Sequence, residues 1–207
     1  MIALPSDYNQ AAAYDGSGGP KLVPGGYICK IAGARCEKVN TKNGPAQKLV
    51  LAFDIAEGEF AGHFDAQFKR AKEKDASGAK WRGTYDCFLL TNEGATNPFF
   101  KGLITCIDKS NEPFQCVVGG QLNEANLKGK LIGLLFREEE YIGSSDGKKH
   151  TAVKACAARS VQTIREGNFE IPEPKLLQGN GGGRGAAPSF KPADAGFTQI
   201  DDDELPF

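Results

Sequence analysis

Apolar residues recur at every second position in five separate runs, and that period commits most of this chain to β-structure. The first run is Gly26 to Val39, where Tyr27, Cys29 and Ile31 alternate with Ile28, Lys30 and Ala32. Gly33 interrupts the alternation, which predicts a bulge or a sharp bend. A long first strand bent in this way is suited to closing a small barrel. Asn40 to Pro45, with its Asn43-Gly44 pair, predicts a hairpin turn. The second strand runs from Lys48 to Ala56, with Leu49, Leu51, Phe53 and Ile55 opposite Val50 and Ala52. After a turn at Glu57-Gly58-Glu59, Phe60 to Phe64 reads as continuing strand. Thr84 to Thr91, Lys130 to Tyr141 and His150 to Arg159 are the remaining runs. Gly143 to Gly147 is a turn between the last two, Val161 to Ile164 reads as an extension of the last, and Asn168 to Pro174 leads out.

One segment changes period. Asn97-Pro98 places an N-cap residue before proline at the first helical position. Phe99, Phe100, Leu103, Ile104 and Ile107 follow at helical spacing, and Lys109-Ser110-Asn111 ends the helix. Asp65 to Arg82 is charged and lacks a stable apolar stripe, so it reads as an excursion, partly helical at most. The predicted order is strand, strand, strand, helix, strand, strand. That is the order of an OB-fold, a five-stranded Greek-key barrel; a two-sheet sandwich with the helix as a plug is the alternative.

The ends differ from the middle. Residues 1–20 are rich in Ala, Gly, Ser and Asp and read as a loosely ordered leader. Residues 21–177 form the OB-fold-like domain. Residues 178–200, beginning Gln-Gly-Asn-Gly-Gly-Gly-Arg-Gly, are a Gly-rich flexible linker that cannot bury enough apolar surface to order itself. Residues 201–207 form an acidic tip. From Gln178 onward two bases face five acids, a charge of −3, which leaves +2 for residues 1–177 out of a total of −1. A mildly basic body with an acidic tail suits a protein whose body meets nucleic acid and whose tail meets basic proteins.

Several function classes are disfavoured. Met1 to Pro5 has neither the basic start nor the apolar run of a secretory signal, and no apolar stretch approaches membrane-spanning length. The expectation is a cytoplasmic protein. Cys29, Cys36, Cys87, Cys106, Cys116 and Cys156 make no CxxC pair, and they read as small buried hydrophobes in a reducing compartment. His63 and His150 have no nucleophile or ligand set near them in sequence. Glu138, Glu139 and Glu140 alternate faces and do not converge on a metal. No cofactor and no enzymatic activity are implied.

Residues 68–88 interleave bases with aromatics. Phe68, Lys69, Arg70, Lys72, Lys74, Lys80, Trp81, Arg82 and Tyr85 are the candidate DNA contacts, while Phe88 reads as core. Lys and Arg neutralise phosphates and release counterions. Aromatic faces stack on bases of any sequence. Trp81, the only tryptophan, sits between Lys80 and Arg82. Lys148 and Lys149 in the last hairpin form a second basic group, because the loops after strands one and four of an OB-fold flank its binding face. Lys30 and Arg35 are weaker candidates. A solvated loop is the plain alternative for the whole stretch.

The chain closes with Asp201-Asp202-Asp203-Glu204-Leu205-Pro206-Phe207. Phe207 offers a ring and the terminal carboxylate together, so a partner with an apolar pocket rimmed by Arg or Lys holds both. The tip resembles the C-terminal peptide of bacterial single-stranded DNA-binding proteins, Asp-Asp-Asp-Ile-Pro-Phe, with Leu205 for Ile and Glu204 inserted. The body resembles instead a family of small phage- and prophage-encoded proteins of replication and recombination modules. Gly25-Gly26-Tyr27-Ile28-Cys29-Lys30-Ile31, Phe53 to Phe60, Lys80-Trp81-Arg82-Gly83-Thr84-Tyr85, Asn97 to Gly102 and Leu127-Lys128-Gly129-Lys130 carry that likeness. It implies a phage-type single-stranded DNA-binding protein and assigns no residue roles. The leading expectation is a sequence-independent, non-enzymatic single-stranded DNA-binding protein whose tip recruits replication or recombination proteins. The alternative is an adaptor that works through its tail and binds little DNA. A homo-oligomer is compatible with either.

Overall fold

The computed structural model describes residues 21–143 and 146–177. The leader, the Gly-rich segment and the acidic tip lie outside the described residues. Five antiparallel strands form one sheet in the order β3-β2-β1-β6-β7. They are β1 (Gly25–Thr41), β2 (Gly44–Ile55), β3 (Thr84–Phe88), β6 (Leu131–Ile142) and β7 (Lys149–Arg159). Helix α1 (His63–Lys74) lies between β2 and β3, α2 (Pro98–Ser110) follows β3, and α3 (Val161–Arg165) follows β7. A short hairpin, β4 (Val117–Val118) and β5 (Gln121–Leu122), and a 3-10 turn at Glu124–Leu127 lead into β6.

The strand β1 belongs to both halves of the sheet. Its first six residues pair with β6, from Gly25 opposite Phe136 to Lys30 opposite Leu131. From Cys29 onward it pairs with β2, ending in the turn between Thr41 and Gly44. The register slips between Ile31 and Gly33, so the strand is irregular where a bulge or bend is expected.

One face of the sheet holds the core. Cys29, Ile31, Leu49, Leu51, Phe53, Ile55, Ile132, Leu134 and Phe136 pack with Leu103, Ile104 and Ile107 of α2 and Phe64 of α1. Asn97 caps α2 through its side chain, which accepts the Phe99 N–H at 2.9 Å. On the opposite face α3 covers the β1–β6 half. There Gly26 and Gly133 permit close approach, because a Cβ on either would stand 2.5 Å from Phe169 or Ile164 respectively.

Four expectations change. Among the described residues the sheet is not closed: β3 pairs only with β2 and β7 only with β6. The β3 and β7 edges approach each other without a ladder, and Tyr85 of β3 packs against the core. Phe60 to Phe64 is not strand. Gly58 and Gly62, at φ +88° and +73°, turn the chain into α1. Asp65 to Arg82 keeps its expected character, helical only as far as Lys74 and irregular beyond. Val161 to Ile164 forms α3, started by Ser160, whose hydroxyl accepts the Thr163 N–H. Cys36 is exposed, whereas Cys29, Cys87 and Cys116 are buried as small hydrophobes; all six thiols are free. Burial pushes the Cys87 and Cys116 thiols up to about 12.

Candidate nucleic-acid interface

Helix α1 is held by a carboxylate outside it. Gly62 has no side chain to cap with, and Asp54 of β2 serves in its place. Asp54 Oδ1 accepts the Phe64 N–H at 2.9 Å, and Oδ2 accepts the Asp65 N–H at 3.0 Å. These donors are among those every helix leaves unpaired at its start, and the negative charge also meets the positive end of the helix dipole. Phe64 is the buried residue of α1, and Phe68 and Ala71 follow it at helical spacing, half-buried. Phe64 meets Phe53 edge-on at 5.5 Å between ring centroids.

Beside and opposite that stripe α1 presents bases. Lys69, Arg70, Lys72 and Lys74 are all exposed. Lys69 is paired with Asp65 at 2.7 Å. Lys72 holds its ammonium 4.9 Å from the Phe68 ring centroid. Neither Lys72 nor Lys74 has a carboxylate partner among the described residues.

Trp81 lies beside this helix. Its ring meets Phe68 at 5.6 Å, and its indole N–H donates to the Gly83 and Phe53 carbonyls at 3.0 and 3.2 Å. The ring is half-buried and packs against the core, so Trp81 clamps α1 to the β2–β3 corner and offers only its remaining surface. Gly83 is required there, because a Cβ would run into the Phe53 carbonyl oxygen and the Phe64 ring. Lys80 is half-buried and Arg82 exposed on the same connection.

Tyr85 turns away from this surface. It shares the core side of β3 with Cys87, and burial pushes its hydroxyl far above the ordinary phenol range. It is not an exposed stacking platform. Phe88, expected in the core, has the opposite parity and is half-buried on the outer face. That face also carries Lys30, Arg35 and Lys48. Lys48 is nearly inaccessible, with its ammonium 3.4 Å from Glu37 and 3.6 Å from Asp86.

Lys148 and Lys149 sit in the β6–β7 hairpin. Lys149 pairs with Glu140 at 2.6 Å and holds that carboxyl below its ordinary range. Lys148 is exposed with no ion pair among the described residues. The hairpin does not pack against α1, whose main contact in the sheet is β2. It does extend from the same end, since β6 continues past Phe136, where β1 begins, and α1 follows the C-terminal end of β2. Asp201, Asp202, Asp203, Glu204, Leu205, Pro206 and Phe207 lie outside the described residues.

No known protein family matches the chain, and no curated protein matches it. The site's chemistry therefore rests on its own geometry. Among the described residues no cluster of three or more His, Cys, Asp or Glu side chains has the arrangement of a metal site, and no helix is long and apolar enough to cross a membrane. Sequence reasoning missed Asp54, which positions the basic helix. Its only sequence signal is an acid closing a strand before a glycine-bounded turn.

Proposed function

We propose that this chain is a sequence-independent single-stranded DNA-binding protein of OB-fold type, acting in phage DNA replication or recombination in the host cytoplasm. The observation that carries the reading is α1: a helix with four exposed bases, Lys69, Arg70, Lys72 and Lys74, set against the aromatic pair Phe68 and Trp81. Such a surface neutralises phosphates without reading base edges, and its rings give bases a surface to stack on. The strand order supports the fold assignment. Reading β1, β2, β3, β6 and β7 as strands one to five, it is the OB order opened at the contact between strands three and five, with a helix between strands three and four. The acidic tip, by its resemblance to the bacterial tail peptide, recruits partner proteins with a basic-rimmed apolar pocket.

The test is fluorescence anisotropy of labelled oligo-dT at low and high salt, with duplex as competitor. Saturable binding that weakens with salt and resists duplex is expected. No binding at low salt would overturn the reading.

One observation favours the second reading, an adaptor working through its tail. Trp81 spends its N–H on two backbone carbonyls, a structural use of the residue best suited to stacking. Weak oligo-dT binding that Lys72→Ala and Lys74→Ala leave unchanged would support the adaptor.

A further inference from the structure

The β6–β7 hairpin repeats the device seen at α1, an aromatic pair with a lysine over it. Tyr141 and His150 are directly opposed across the two strands. Their rings stack at 5.5 Å between centroids and 29° between planes. Lys154 holds its ammonium 5.3 Å from the Tyr141 centroid. At α1 the corresponding set is Phe68, Trp81 and Lys72.

Strand parity puts the Tyr141–His150 pair on the side of the sheet away from the core, since Phe136 faces inward and Tyr141 is five residues on. His150 is exposed, and its ring nitrogen Nε2 contacts Asp146 at 2.9 Å. Nearby cations are unevenly used. Arg137 is bound to Glu139 at 2.8 Å, while Lys148 and Lys154 have no carboxylate partner among the described residues. A cross-strand aromatic pair also stabilises a hairpin by itself. That role needs neither the two unpaired lysines nor a ring left open to solvent.

We infer that Tyr141 and His150 form a second base-stacking platform for single-stranded DNA, with Lys148 and Lys154 as its phosphate contacts. The inference rests on the DNA-binding reading above and adds a contact region separate from α1. Both regions lie at the end of the sheet where β2 finishes and the β6–β7 hairpin projects. A strand crossing that end meets rings at both sides and lysines beside each.

The experiment compares wild type with Tyr141→Leu on two ligands, a dT oligomer and an abasic oligomer of the same length. Thermal unfolding checks that both proteins are folded. A stacking platform predicts roughly tenfold weaker binding of Tyr141→Leu to dT, within the range for removing one base–aromatic stack, and little change on the abasic strand. Tyr141→Phe restores dT binding. Equal loss on both ligands, or no loss on dT, overturns the platform while leaving the α1 reading intact. Failure of the wild type to bind dT overturns the DNA-binding reading and this inference with it.

Discussion

Removing the carboxylate of Asp54 tests whether the basic helix is positioned from outside itself. Asp54→Ala leaves the Phe64 and Asp65 N–H groups without their acceptor and removes a charge from the helix start. An N-cap contact contributes typically about 1 kcal/mol, and a hydrogen bond to a charged group about 1.5–3 kcal/mol net where it is well shielded from water. With both donors near the surface, a net cost of about 2 kcal/mol follows. In a domain of this size that lowers Tm by about 4–8 °C. Asp54→Asn is the discriminating variant. It keeps the oxygen that meets Phe64 but turns an amide N–H₂ toward the Asp65 N–H, so it falls between wild type and alanine. Thermal unfolding followed by circular dichroism gives the order, and hydrogen exchange at the Phe64 and Asp65 amides locates the loss. A Tm for Asp54→Ala within about 1 °C of wild type, a far smaller change than a lost cap produces, would refute the assignment. So would protection unchanged at those two amides.

Three further outcomes follow from other features. Gly83→Ala is expected to destabilise by about 2–3 kcal/mol, as overpacking against backbone does, because its Cβ meets the Phe53 carbonyl and the Phe64 ring; chemical denaturation measures it. Lys72→Ala with Lys74→Ala is expected to lower the salt slope of oligo-dT binding by about 1.4, at roughly 0.7 per phosphate contact on a single strand; an unchanged slope would remove both residues from the interface. His63 is held below its ordinary value of 6.5 by burial, and Arg70 adds to that effect while Asp54 opposes it. Because the unfolded chain takes up the proton first, stability falls as pH drops below 6.5 toward the folded-state value, and it is unaffected above. Urea unfolding between pH 5 and 8 is expected to show that loss, and His63→Leu is expected to flatten it.

The strands were legible because their apolar residues alternate over lengths that nothing else accounts for, and Gly33 marked the slip in register by breaking the alternation. Helix α2 was legible because Asn97 and Pro98 announce it locally. Helix α1 was not. Its stripe is only Phe64, Phe68 and Ala71, and its cap comes from Asp54, ten residues before the first N–H it accepts. Helix α3 had a local signal in Ser160, but its apolar residues also fit a strand continuing from β7. In the candidate site the bases could be read directly, since charged side chains on a non-periodic segment face water. The direction of the aromatics could not. Trp81 lies outside any regular element, so no period tells which way it points, and its indole N–H reaches the Phe53 carbonyl of β2 only once the chain has folded. Tyr85 is in a strand, but its facing depends on the register with β2.

The double allegiance of β1 also has a consequence for the order of assembly. Its second half meets β2 after a tight turn, a contact available within moments of synthesis. Its first half waits for residues 131–136. At about 5–20 residues per second, a ribosome needs roughly 5–20 s to deliver that partner strand. During that interval Gly25 to Lys30 offers an unpaired edge beside a half-built core, the kind of edge that recruits other chains. The nascent protein is therefore most exposed to mispairing between the completion of β2 and the arrival of β6. Substitutions that sharpen the β1–β2 turn would hasten the first contact and leave that window open.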